Sequence, residues 1–235
     1  MAVSPQRFPR VALVGRLDSP GIAEPLARLA GFLAGRGHAV CVGSETAAEA
    51  GPPGYPAVPV GEMARHADVV VVVGGDGTML SIARQVAPFD LPLIGINQGR
   101  LGFLTDVPLA GMESSVGAML DGRFLEERRT LLDTAVNGDR AVALNDVVVN
   151  RGSGGSMIEV RVEIDGRFVY AMRADGLIIA TPTGSTAYAL SCGGPIIAPE
   201  VPAFALVPVA PHGLTHRPVA VHESAVIAVK PWLPA

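Results

Sequence analysis

The run DVVVVVGGDGTML, residues 68–80, restricts this chain more than any other stretch. Five consecutive valines, Val69 to Val73, suit a buried strand, because β-branched side chains pack well on a pleated surface and a half-solvated strand would alternate with polar residues. The strand runs straight into Gly74, Gly75, Asp76, Gly77 and Thr78. A glycine-rich turn after a buried strand lets bare backbone N–H groups approach an anion closely. Asp76 sets a negative charge in the middle of that turn, and two explanations stand side by side. Asp76 or Thr78 caps the helix that follows, or the glycines hold phosphates while Asp76 takes a proton from an attacking hydroxyl. A carboxylate beside phosphates is unfavourable unless Mg2+ neutralises it or a substrate hydroxyl bonds it, and a kinase site provides both.

The flanking sequence predicts what surrounds that strand. VALVG (11–15), HAVCVG (38–43) and LPLIGIN (91–97) read as further strands. Ile22, Leu26, Leu29 and Leu33 repeat at helical spacing with Gly37 after them as a C-cap, and Met79, Ala83 and Val86 continue as a helix. Residues 50–61, rich in Pro and Gly, read as a loop, and 108–121 as a helix. Strands alternating with helices predict a three-layer, Rossmann-like α/β domain over 1–122, with its ligand beyond the carboxyl ends of the strands, where GGDGT and NQGRLGF both fall.

From about residue 123 hairpins replace helices, which predicts a β-rich, sandwich-like second domain over 123–235. LLDTAV and RAVALNDVVV flank a tight Asn137-Gly138 turn. Ile158, Val160, Val162 and Ile164 alternate with Glu159, Arg161 and Glu163, the pattern of a half-solvated strand, which Asp165-Gly166 turns into RFVYAMR.

Composition excludes several function classes. A net charge of −4 offers no electrostatic basis for binding nucleic acid or an anionic membrane. No leader or spanning segment is evident, and Cys41 and Cys192 lie far apart without metal-site spacing, so a cytoplasmic protein with no thiolate metal site is expected. There are 17 arginines and one lysine, Lys230. That excludes a G-x-x-x-x-G-K-[ST] loop and a Schiff-base lysine, so any phosphoryl transfer must rely on backbone, arginine, metal and carboxylate.

Three further motifs each carry two readings. Asn145-Asp146 in ALNDVVVNRG is either a turn or a polar pair set into a buried strand, where a ligand's hydroxyls would satisfy it. RADGLIIATPTGSTAYALSCGGP (173–195) places Arg173 and Asp175 before an apolar strand and a Ser/Thr-rich turn after it, either a capped helix with a packed tyrosine or a ligand-facing helix start. Ser185 lacks a G-x-S-x-G elbow, and Cys192 reads as a small buried filler. His212 and His216 lack H-E-x-x-H and sit between prolines, so a loop with hydrogen-bonded histidines is expected rather than zinc.

Taken in order, GGDGT, NQGRLGFLTD, LNDVVVNRG, DGLIIATPTGSTAYALS and PHGLTHRP resemble the bacterial-type NAD kinases over nearly the whole chain. GGDGT alone is also similar to loops of diacylglycerol and sphingosine kinases; DG-x-x-x-x-TPTGSTAY after an Asn-acidic pair is far more specific. The resemblance implies transfer of the ATP γ-phosphoryl group to the 2′-hydroxyl of the adenosine ribose of NAD, with Mg2+ or another divalent cation. It implies that Asp76 is the proton acceptor, with Gly74, Gly75, Gly77 and Thr78 against the ligand. Phe103 would border the cleft, and Asn145 and Asp146 would bind the adenosine portion. Arg173 and Asp175 would meet the dinucleotide from a neighbouring subunit's side, in a dimer or tetramer. Thr186, Ala187, Tyr188, Ala189, Leu190 and Ser191 would line the base pocket, with Tyr188 stacking.

This sequence departs from the family pattern in having Asp146 for a more usual glutamate, GLTHRP for x-L-S-N-R-P, and Ser156 where a basic residue is frequent. Members generally run on past the equivalent of Ala235, so a missing C-terminal segment is expected, with VHESAVIAVKPWLPA left as an unpaired apolar edge. Alternatives are a lipid or sphingoid-base kinase sharing the glycine-aspartate loop, and a non-catalytic dinucleotide sensor. The first lacks an amphipathic membrane-binding helix here, and the second has no need of Asp76.

Overall fold

A computed structural model describes residues 7–99, 102–152, 157–213 and 215–231. The chain divides into two compact units, Met1–Glu126 and Glu127–Ala235.

The first unit is built on a parallel sheet. Its strands are β1 (Arg10–Gly15), β2 (Ala39–Gly43), β3 (Ala57–Val58), β4 (Val69–Gly74), β5 (Leu93–Asn97) and β6 (Val107–Pro108), in the order β3-β2-β1-β4-β5-β6. The valine run is β4, at the centre of this sheet and fully buried. Because side chains alternate across a strand, Val69, Val71 and Val73 face one side, and Val70 and Val72 the other. The first set packs on helices α1 (Ala23–Gly35) and α5 (Met112–Leu120) through Leu26, Leu29, Leu33, Met112, Val116 and Leu120. The second packs on α3 (Met63–His66) and α4 (Asp76–Val86) through Met63, Ile82 and Val86. A strand buried on both faces is thus what makes the unit three-layered.

Two features differ from expectation. Residues Ser44–Ala50 (SETAAEA) form a helix, α2, which has no apolar period to announce it; only Thr46 is buried. The supposed loop 50–61 carries β3, which pairs with β2 at the sheet edge, and 108–121 begins as strand β6 before α5 starts at Met112.

The second unit consists of antiparallel sheets. β7 (Leu132–Val136) and β8 (Asp139–Ala143) pair with Val136 opposite Asp139, so Asn137-Gly138 is the whole turn, with φ of 53° and 93°. Positive φ at both positions is what a two-residue hairpin of matching twist needs. β8 and β9 (Asp146–Asn150) are separate strands in different sheets, because the chain leaves the hairpin at Leu144-Asn145. A three-stranded sheet runs β11-β10-β15, from β10 (Ile158–Ile164), β11 (Arg167–Ala174) and β15 (Ile227–Pro231). A four-stranded sheet runs β14-β13-β12-β9, adding β12 (Gly176–Ala180), β13 (Ala203–Val209) and β14 (Val219–His222). Val160, Val162 and Met172 of the first sheet meet Leu177, Ile179, Phe204 and Leu206 of the second in one core, which makes a sandwich. The other face of β12 and β13 is covered by Ala189 and Ile197.

Glu163 corrects the half-solvated reading of β10. The register shifts between Val162 and Glu163, and the glutamate is largely buried, with Lys230 Nζ at 2.6 Å and Arg161 at 2.7 Å. The chain's single lysine therefore neutralises a carboxylate inside this sheet.

Candidate active site

The strand order of the first unit reverses direction between β1 and β4, and ligands of open α/β sheets bind in the crevice outside such a switch point. A cavity of about 590 Å³ lies there, lined by the carboxyl ends of β1 and β2 and by Gly75 and the first turns of α4. Gly75, Asp76, Gly77 and Thr78 form its wall, whereas Gly74 is buried beneath them and its carbonyl accepts from Gln98 N–H at 2.8 Å.

The structure does not use Asp76 as a helix cap. Gly75 is the N-cap of α4 and, among the described residues, no side chain caps that helix, which leaves its first-turn N–H groups for an anion. The Asp76 carboxylate turns instead to the segment 103–105. Its Oδ2 accepts from Phe103 N–H at 2.8 Å; its Oδ1 accepts from Leu104 N–H at 3.0 Å, Thr105 N–H at 3.2 Å and the Thr105 hydroxyl at 3.1 Å. Gly102 makes this approach possible, since a Cβ there would overlap Asp76 Oδ1. The Phe103 side chain is 77% exposed. Arg100 and Leu101 of the same motif lie outside the described residues.

Arg16, absent from the sequence-based candidates, follows β1 directly. It is the only cation among the described residues lining the cavity, and its exposed side chain makes no hydrogen bond or ion pair among them. Other arginines of this unit are committed: Arg10 to Asp68 at 2.6 Å and Arg28 to Glu113 at 2.6 Å. Thr46 on α2 accepts from Gly15 N–H at 3.0 Å and so fixes the mouth of β1. Among the described residues no three His, Cys, Asp or Glu side chains stand close enough to hold a metal ion.

In the second unit, Asn145 and Asp146 sit at the entry to β9, both half-buried. Neither side chain makes a hydrogen bond among the described residues, and burial pushes the Asp146 carboxyl above its ordinary range. The Asn145 backbone, by contrast, is locked. Its carbonyl accepts from Thr181 N–H at 2.9 Å, and the Thr181 hydroxyl donates to the adjoining Leu144 carbonyl at 2.5 Å. Gly184 presses against it so closely that a Cβ would overlap the Asn145 carbonyl oxygen. Thr181 is fully buried, and sequence reasoning missed it because its partners lie 36 and 37 residues away.

The TPTGSTAY turn divides its residues between core and surface. Thr183–Thr186 form a short 3-10 turn leading into α6 (Tyr188–Ser191). Ser185 is buried and donates to the Pro182 carbonyl at 2.6 Å while accepting from Ile197 N–H at 2.9 Å, a staple rather than a nucleophile. Ala189 faces the core, Thr186 and Ala187 are half-buried, and Tyr188, Leu190 and Ser191 face outward, Tyr188 at 47% exposure. Arg173 and Asp175 are both exposed. Arg173 lines a smaller hollow of about 340 Å³ with Glu159, His212 and His216. The histidines do not hydrogen-bond through their rings among the described residues, contrary to expectation; His216 stacks at a tilt on Tyr170, centroids 5.8 Å apart. Ser156 lies outside the described residues.

Comparison with known proteins agrees with this arrangement. Residues 57–124 match the ATP-NAD kinase N-terminal domain, and residues 144–234 match the ATP-NAD kinase C-terminal domain. A NAD kinase of Burkholderia multivorans is 53% identical over 228 residues, covering 95% of this chain and 76% of that protein. The crystal structure of yeast NADH kinase complexed with NADH superposes with a TM-score of 0.81 at 28% identity, covering 94% of this chain and 72% of that one. An NAD kinase from Archaeoglobus fulgidus in complex with ATP gives a TM-score of 0.75 at 30% identity, covering 94% and 80%. With a three-layer unit carrying the GGDGT turn, a β-sandwich carrying the Asn-Asp and TPTGSTAY segments, and relatives of this closeness, the chain belongs to the NAD kinase family.

Proposed function

We propose that the chain phosphorylates the 2′-hydroxyl of the adenosine ribose of NAD with ATP, giving NADP and ADP. The observation that carries this reading is the placement of Asp76: a carboxylate on the wall of the switch-point cavity, beside uncapped N–H groups of α4 and not used as a helix cap. Phosphates bind the N-terminus of α4 at Gly75, Gly77 and Thr78, with Arg16 supplying the counter-charge that lysine supplies elsewhere. The donor nucleotide brings Mg2+ or another divalent cation as part of the substrate. Asp76 accepts the proton of the attacking hydroxyl. In the second unit, the side chains of Asn145 and Asp146, without hydrogen bonds among the described residues, bond the adenosine portion, and Tyr188 stacks on a base with Thr186 and Ala187 beside it.

The protein works in this reading as a cytoplasmic homo-oligomer, a dimer or tetramer, with Arg173 and Asp175 turned to a neighbouring copy. The support is that both are exposed near the sheet edge formed by β11, where Phe168 and Val169 are also exposed. Light scattering on the purified protein tests the assembly.

The test of the chemistry is Asp76→Asn. The amide keeps shape and some hydrogen bonding but takes no proton, a role worth about 10²- to 10⁴-fold in rate. We expect NADP formation to fall by that order while NAD still binds. Parent-like kcat would overturn the assignment, and so would an NAD-binding protein that yields no phosphorylated dinucleotide from ATP and NAD in its native sequence.

A further inference from the structure

The hydrogen bonds of Asp76 are divided unequally between its two oxygens. Oδ1 accepts three, from Leu104 N–H, Thr105 N–H and the Thr105 hydroxyl; Oδ2 accepts one among the described residues, from the exposed Phe103. A carboxylate oxygen offers about two in-plane lone-pair sites, so three donors saturate Oδ1 while Oδ2 keeps room for another partner. From this we infer that Thr105 is a positioning residue: it pins Oδ1 so that Oδ2 is the oxygen that takes the proton. The inference rests on the reading of Asp76 as the proton acceptor.

Thr105 is fitted for this by what lies behind it. It is fully buried, and its Oγ1 accepts from Asn97 Nδ2 at 3.0 Å. A hydroxyl carries a single proton. With Asn97 donating to the oxygen, the Thr105 proton is directed to Asp76 Oδ1. The Asn97 amide is itself oriented by its other contacts: Oδ1 accepts from Gly99 N–H at 2.7 Å, and Nδ2 also donates to the Thr105 carbonyl at 3.2 Å. A flipped amide would set oxygen against the Thr105 carbonyl and nitrogen against the Gly99 N–H, so the network admits one orientation. Asn97 ends β5, a central strand that pairs directly with β4 (Gly74 opposite Asn97), so the chain Asn97–Thr105–Asp76 ties the base to the rigid sheet rather than to a loop.

The step that follows balances. The acceptor hydroxyl takes the open site on Oδ2 beside Phe103 N–H, its O–H bond breaks, and the proton moves to Oδ2. The hydroxyl oxygen forms the new bond to the γ-phosphorus as the bond from that phosphorus to the β–γ bridging oxygen breaks, and ADP leaves with the bonding pair. Loss of the Thr105 hydroxyl leaves the carboxylate held by backbone N–H groups alone and so less firmly oriented toward the acceptor.

The experiment compares Thr105→Val, Thr105→Ser and Asp76→Asn by steady-state kinetics with NAD and ATP, alongside thermal melting. Valine keeps the β-branched shape and removes the hydroxyl; serine keeps the hydroxyl. We expect Thr105→Val to lower kcat by about 10- to 100-fold, the scale of a small misplacement of a reacting group, with both KM values within about twofold of the parent. Thr105→Ser should restore most of the rate. If Thr105→Val does not fold, Thr105→Ala carries the same comparison against serine. A parent-like kcat in the hydroxyl-free variant, or equal losses in the serine and hydroxyl-free variants, overturns the inference. If Asp76→Asn itself keeps the parent kcat, the base assignment has failed, and that is distinct from an inactive Asp76→Asn beside a fully active Thr105→Val, which removes only the role of Thr105.

Discussion

The Thr181 hydroxyl donates to the Leu144 carbonyl at 2.5 Å and accepts from Gly184 N–H at 3.0 Å, so one buried side chain joins the start of β9 to the turn that follows β12. Through this joint the Asn145 backbone is held by a segment almost 40 residues later in sequence, while its side chain makes no hydrogen bond among the described residues. Gly184 completes the joint by having no Cβ where the Asn145 carbonyl lies. Gly184→Ala therefore has to push two backbones apart. We expect destabilisation of about 1–3 kcal/mol, the usual cost of overpacking a filled site, and a raised KM for NAD as Asn145 moves. Urea unfolding and NAD titration check this; unchanged stability and KM would mean that the joint yields freely.

Arg16, on the cavity wall, offers a test that separates binding of donor from binding of acceptor. Charge-assisted hydrogen bonds to phosphate are worth about 1.5–3 kcal/mol, which corresponds to roughly tenfold or more in affinity. Arg16→Ala is expected to raise KM for ATP by that factor and to leave NAD affinity within about twofold. Arg16→Lys should recover part of the loss, since lysine keeps the charge and loses the fork. Equal weakening of both substrates would place Arg16 elsewhere in the mechanism.

Tyr188 stands outward on α6 at 47% exposure, so its ring is not needed by the core behind Ala189. Tyr188→Ala is expected to weaken dinucleotide binding by about 1–3 kcal/mol, borrowing the scale of base–aromatic stacking in nucleic-acid sites. Its melting temperature should stay near the parent's. Isothermal titration with NAD gives the answer, and unchanged affinity removes the stacking role.

How far the sequence could be read follows from the range of each interaction. The valine run, the α1 period and the Asn137-Gly138 turn are local patterns, and each folds as its spacing predicts. α2 escaped notice because SETAAEA is short, polar and anchored only by Thr46. Thr105 and Arg16 escaped notice for another reason: their significance lies in partners brought together by the sheet. Thr105 reaches Asp76 across 29 residues, and Arg16 joins the cavity only because β1 lies beside β4. The GGDGT turn pointed to the region of the site, but how the donors divide between the two oxygens of Asp76 is a property of the folded loop alone.

Glu163 shows the same limit and gives a pH test. Its place in an alternating strand suggested water, yet it is largely buried against Lys230 and Arg161. The Lys230 hydrogen bond is the largest influence on it; burial opposes that bond, and the Lys230 and Arg161 charges reinforce it, leaving the Glu163 carboxyl below its ordinary value of 4.5. A carboxyl lowered by folding stabilises the native state fully above its unfolded value, and that stabilisation is lost as pH falls through the lower folded value. The melting temperature of the parent should therefore exceed that of Glu163→Gln at neutral pH, and the gap should close as pH drops below 4.5. Lys230→Met should lower stability at neutral pH as well, because it leaves a largely buried carboxylate with Arg161 alone. A gap between parent and Glu163→Gln that persists unchanged into acid would show that glutamine fails by shape, and that the Lys230 pair contributes nothing through its charge.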